Sequence, residues 1–218
     1  MISMNHLDEI TYGNPFDVYL PYLKKDTGYD FLFESLKKYP FPKNSSEATK
    51  DELRELIKLQ NNPAQRNEKI VNRYIKYDDE LLDTIKKFCK DKLNIQEDEL
   101  LDEAIESTKS LIIKIKYFYQ RPRPYQLAQY YKARLFPSTS LSALSPSYPS
   151  GHVIQAKVLA IILGNKYPEH NQILEKMAHD IAVSRLFLGL HFQSDIDFGI
   201  IVADAITTSK QFNEKYGI

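Results

Sequence analysis

One cysteine, no tryptophan and only seven glycines occur in 218 residues. A single thiol rules out an intramolecular disulfide. Cys89, in Lys86-Lys87-Phe88-Cys89-Lys90, reads as a small buried hydrophobe rather than a reactive group. Scarce glycine removes the commonest turn former, which disfavours turn-rich β structure. Excess charge is also missing. Lys+Arg and Asp+Glu balance at 29 each, so the chain has no bulk attraction for nucleic acid or acidic membranes. Any anion site must be built locally. Without tryptophan and without basic interleaving, the 15 tyrosines read as core and rim packing, not as a base-stacking platform. No apolar run reaches membrane-spanning length; the best, Val158 to Gly164, is seven residues long. The opening residues carry neither a basic nor an apolar signal region. The expectation is a cytoplasmic chain without stable membrane insertion, or one whose leader has been removed.

The length suits one domain over residues 1–218, with an N-terminal helical and irregular part (1–95) and core helices over 96–218. Residues 1–45 hold Pro15, Pro21, Pro40 and Pro42 and read as short helices and connections. Thr49-x-x-Glu52 fits a capping box opening a helix that Asn61-Asn62-Pro63 ends. Further helices are expected over 65–91 and 94–120, the second with Leu101, Ile105, Thr108, Leu111, Ile112 and Ile115 on one broad face. Pro122 and Pro124 stop it. Residues 125–149 read as a long loop, followed by helices over 151–166, 172–188 and 191–212. No strand alternation is visible, and the class is all-α.

Three motifs carry chemistry. The first is a lysine seven residues before Arg-Pro, in two registers: Lys114 with Arg121, and Lys116 with Arg123. Either pair shares a helix face, and the following proline aims the arginine off the helix end as a fork for anion oxygens. The second is Pro149-Ser150-Gly151-His152 ahead of a largely apolar stretch. The glycine admits close backbone approach, the helix start favours negative charge, Ser150 adds a hydroxyl, and His152 stands where it can protonate a leaving oxygen. The third is Ser184-Arg185-x5-His191-x3-Asp195. His191 and Asp195 are expected on one helix face, the carboxylate fixing the tautomer of a nucleophilic imidazole. Together these residues form an inventory for holding a tetrahedral oxyanion and passing it through histidine. His179 with Asp180 reads as a surface pair, and Asp197 has no assigned role.

This set and order resemble the type 2 phosphatidic acid phosphatase superfamily, which also contains the vanadium haloperoxidases. The likeness is greatest to the soluble class A nonspecific acid phosphatases, covers residues 116–197 well, and hardly touches 1–110. Their Arg-x-Arg-Pro-aromatic habit favours Lys116 with Arg123. The resemblance implies an all-helical bundle and metal-independent hydrolysis of soluble phosphate monoesters through a phosphohistidine. His191 would be nucleophile, His152 acid and base, and Asp195 the orienting carboxylate. Lys116, Arg123, Ser150, Gly151 and Arg185 would bind the phosphoryl oxygens. No cofactor, metal or nucleic acid is implied, a small-molecule phosphate ester is the expected partner, vanadate should inhibit, and homo-oligomers stay open. The rival readings are a vanadium-dependent haloperoxidase and a non-catalytic phosphate-binding module.

Overall fold

A computed structural model describes residues 4–140 and 143–218, with side chains from His6 onward. Leu141 and Ser142, inside the expected loop, lie outside the described residues, as do the first three. Among the described residues the chain is helical with no strand, as its composition implied.

The centre is α8 (Gly151–Lys166). Val153, Ile154, Ala156, Val158, Leu159, Ala160, Ile162 and Leu163 are all buried on it. A helix apolar on every side can only lie inside. It packs against α6 (Asp98–Tyr119), α9 (Asn171–Phe187) and α10 (Gln193–Thr207). Leu101, Leu111 and Ile115 of α6 are fully buried, each contributing about 1.5–3 kcal/mol of burial energy. Gly199 of α10 permits the closest approach: a Cβ there would stand 3.1 Å from the Ser150 carbonyl. The start of α8 is thereby held against α10.

The N-terminal third wraps this core. α1 (Leu20–Lys24) and α2 (Phe33–Leu36) lie on α6, while α3 (Glu47–Asn61) and α4 (Glu68–Asp79) lie on α9. Three local expectations change. Ser46, not Thr49, caps α3, its hydroxyl accepting from the Thr49 amide; Glu52 is thereby released for another task. The stretch expected as one helix over 65–91 breaks at Glu80 into α4 and α5 (Leu81–Phe88), then closes in a π-helical turn over Cys89–Leu93. The stretch expected over 191–212 also breaks, with α11 (Lys210–Tyr216) capped separately by Ser209. The long loop opens with a short helix, α7 (Pro124–Ala128). Cys89 is buried, as its setting implied.

Candidate active site

The C-terminal half of α6, the start of α8 and the approach to α10 meet at one cavity of about 290 Å³. Lys116, Arg123, Gly151, His152 and His191 line it, with Tyr19, Tyr22 and Lys109 at its wall. Each polar group has a local cause. Lys116 sits in the last turn of α6, and its ammonium donates to the Pro146 carbonyl. Arg123, the residue before Pro124, has extended backbone at φ −75°, ψ 158°, which turns it inward. Its Nε donates to Ser145 O at 2.9 Å and its Nη1 to Leu190 O at 2.9 Å. The same Nη1 lies 3.1 Å from His191 Nε2.

His191 is not on a helix face. Gly189, at φ +68°, turns the chain sharply after α9 in a conformation glycine adopts without strain. His191 precedes α10, whose N-cap is Phe192. Asp195, on the first turn, reaches back. Its Oδ2 accepts from the Phe192 amide at 2.8 Å and lies 3.2 Å from His191 Nδ1. One carboxylate therefore caps the helix and orients the imidazole. Nδ1 carries the proton, leaving Nε2 as the lone-pair nitrogen beside Arg123.

Asp195 is held in turn. Arg121 Nη1 donates to its Oδ1 at 2.6 Å, and the Ser147 hydroxyl donates to Oδ2. Arg121 is completely buried, 4.1 Å from the Phe192 ring centre and 5.1 Å from that of Phe41. Its other Nη donates to Glu52 of α3 at 3.1 Å. The two arginines of Arg-x-Arg-Pro thus face different ways. Arg123 lines the cavity, and Arg121 lies behind Asp195. The two lysines also diverge, since Lys114 pairs with Asp30 away from the cavity.

Arg185 and Ser150 are fully buried and do not line the cavity. Arg185 Nη1 donates to Asp78 of α4 at 2.6 Å. The Ser150 hydroxyl has no partner among the described residues, and a buried unsatisfied hydroxyl costs about 1–3 kcal/mol. No cluster of His, Cys, Asp and Glu suited to a metal ion occurs among the described residues. Asp195, Asp78 and Glu52 are each paired with arginine. His179 and Asp180 lie on α9 outside this site, with Asp180 near Arg73 and Lys176; Asp197 accepts from Gln193 at the surface.

Lys116, Arg121, Arg123 and Arg185 face Asp195, Asp78 and Glu52, leaving one net positive charge when Lys116 is protonated and both histidines are neutral. Burial, then Arg123, drives Lys116 well below its ordinary range. Burial and Arg123 likewise depress His191 against the pull of Asp195. Burial and Arg185 push His152 down to about 3, opposed by Asp78. For Asp195, burial favours the neutral acid, but Arg121 and His191 prevail and hold its pKa well below the usual carboxylate range. Burial and the neighbouring cations thus disfavour the charged forms of Lys116, His191 and His152, and an incoming anion should draw protons in.

That has a measurable sign. A histidine depressed in the fold lets the unfolded chain bind more protons below its ordinary value of 6.5. Stability is then complete above that value and falls as pH drops towards the folded value. We expect the melting temperature of the ligand-free protein to fall between pH 7 and 4. Sulfate, doubly charged throughout, should bind more tightly as pH falls because its binding takes up protons. Sulfate affinity that is flat from pH 7 to 5 would contradict this proton uptake.

Residues 104–212 match the family model described as the PAP2 superfamily. The chain belongs to the PAP2 superfamily. Over 84 residues it is 36% identical to the non-specific acid phosphatase of Salmonella typhimurium, covering 38% of this chain and 33% of that protein. Over 119 residues it is 29% identical to that of Providencia stuartii, covering 54% and 48%. The matched region thus spans about a third to a half of these curated relatives. A transmembrane PAP2-type phosphatidylglycerolphosphate phosphatase from Bacillus subtilis shares the fold, with a TM-score of 0.50 and 18% identity over 86% of this chain and 92% of its own. Among the described residues of this PAP2 chain, no helix is long and apolar enough to cross a membrane. Glu52 and Asp78, the two buttressing carboxylates, lie outside the PAP2 match.

Proposed function

We propose that this chain hydrolyses phosphate monoesters through a phosphohistidine on His191, without a metal ion. One observation carries the reading: His191 has Asp195 at Nδ1 and Arg123 at Nε2, inside a cavity also lined by Lys116 and His152. Nε2 attacks phosphorus, forming the N–P bond as the bond from phosphorus to the ester oxygen breaks. His152 gives its proton to that oxygen. The bound phosphoryl dianion offsets the burial and the Arg185 charge that depress His152, so the acid is charged when needed. Water then attacks the phosphohistidine, His152 takes its proton, the N–P bond breaks, and phosphate leaves. Lys116, Arg123, the Ser150 hydroxyl, the start of α8 at Gly151 and the field of Arg185 stabilise the equatorial oxygens.

Soluble esters fit this reading better than bilayer lipids, because the apolar helices are spent on the chain's own core. The decisive experiment is a panel of phosphate esters assayed with EDTA, with and without vanadate. Turnover should survive EDTA, and vanadate should compete with substrate more tightly than phosphate does, because it mimics the five-coordinate transition state. Strict restoration by one divalent ion would overturn the metal-free step. Halide-dependent peroxide chemistry with vanadate would point to a haloperoxidase instead.

A further inference from the structure

Asp78 is an acid that neither the motifs nor the reaction above requires. It lies in the last turn of α4, in the N-terminal third, and is buried. Its carboxylate accepts from Arg185 Nη1 at 2.6 Å, with both side chains essentially inaccessible to solvent. Its main-chain carbonyl lies 3.3 Å from His152 Nε2. The last four carbonyls of a helix have no partner within it, so the end of α4 offers an acceptor without sacrificing a helix bond. The negative end of the helix also favours a protonated imidazole there. A single residue thus reaches one residue expected to hold phosphate and the other expected to move protons.

We infer that Asp78 is a positioning residue for both groups: its carboxylate limits how much of the Arg185 charge reaches a bound anion, and its carbonyl holds His152 with the proton on Nε2. The inference rests on the phosphatase reading for the role of His152, but its electrostatic half needs only anion binding. Two consequences follow that a purely structural pair would not produce. Asp78→Asn keeps an oxygen acceptor for Arg185 and the carbonyl for His152 while removing the negative charge. Arg185 then acts on the anion undiminished, so phosphate binds more tightly. His152 loses the carboxylate that supports its charged form, so leaving groups that need a proton suffer most.

The test uses the full chain and its Asp78→Asn variant. Inorganic phosphate should inhibit the variant about three- to tenfold more tightly and should raise its melting temperature more than that of the parent. Turnover should drop more for an alkyl phosphate than for 4-nitrophenyl phosphate. Phosphate binding that is unchanged or weaker, or an equal drop for both esters, overturns the inference. Should the parent hydrolyse no ester, the phosphatase reading fails instead, while the phosphate-dependent melting shift still decides the role of the carboxylate. If the variant does not fold, nitrogen-15 NMR of the parent's His152 decides the carbonyl half. A neutral ring protonated on Nε2 is expected, and one protonated on Nδ1 overturns it.

Discussion

His191→Ala should lose turnover by at least about 10⁴-fold for every ester, whatever its leaving group. Removing the ring takes away the lone pair that forms the N–P bond, so no covalent intermediate can arise. Arg123 and Lys116 stay in the cavity, and phosphate binding should persist. His152→Ala should fail differently. The nucleophile and the cations remain, but the donor to the leaving oxygen and the acceptor for the water proton are gone. For an alkyl phosphate the loss should be about 10²–10⁴-fold. For 4-nitrophenyl phosphate, whose leaving group needs no proton, it should be much smaller. Rapid quenching of His152→Ala with that ester should trap acid-labile phosphate, and peptide mapping should place it on His191. Phosphate found on His152 or on a serine would exchange or cancel the roles assigned to the two rings.

Much of the fold was legible because the signals were local. α8 is apolar over nearly its whole length, α6 has a broad apolar face, and proline marks the end of both. What stayed hidden were interactions across long stretches of chain. Glu52 looked like half of a capping box, yet Ser46 caps α3 and Glu52 reaches Arg121 and the Ser194 amide. Asp78 stood in an ordinary acidic run, Asp78-Asp79-Glu80, and no spacing rule ties it to Arg185. His191 and Asp195 read as a helical i,i+4 pair, and their contact is present without the helix. Asp195 bonds the Phe192 amide as a cap, a geometry that the same spacing permits. Sequence spacing could not decide between the two Lys–Arg registers either, because both share one periodicity. The directions of Arg121 and Arg123 become distinct only once Asp195 and Leu190 are in place.

Those directions predict that Arg121→Ala and Arg123→Ala fail for different reasons. Arg123→Ala removes a cation that faces His191 and bonds only carbonyl oxygens otherwise. Turnover should fall about 10²–10³-fold, with a modest change in melting temperature because no opposite charge is stranded. Lys116→Ala should behave similarly, and Lys114→Ala should cost little activity. Arg121→Ala instead strands Asp195 in the interior and deprives Glu52 of its partner. Breaking a buried pair from one side costs about 3–5 kcal/mol, or roughly 10 °C for a chain of this size. Activity should fall as well, since Asp195 no longer holds His191 in one tautomer. Arg121→Lys should recover part of both, as an ammonium can pair with Asp195 but cannot also reach Glu52 and the Ser194 hydroxyl, to both of which the guanidinium donates. The acid limb supplies the check. In the parent, the depressed carboxyl of Asp195 contributes stability above the ordinary value of 3.8, and that contribution drains away as pH falls towards the folded value. In Arg121→Ala the contribution is missing from the start. The gap in melting temperature between parent and variant should therefore be widest near neutral pH and narrow below about pH 4. A gap that holds constant into acid would mean that Arg121 supports the fold through packing on Phe192 and Phe41, and not through the charge on Asp195.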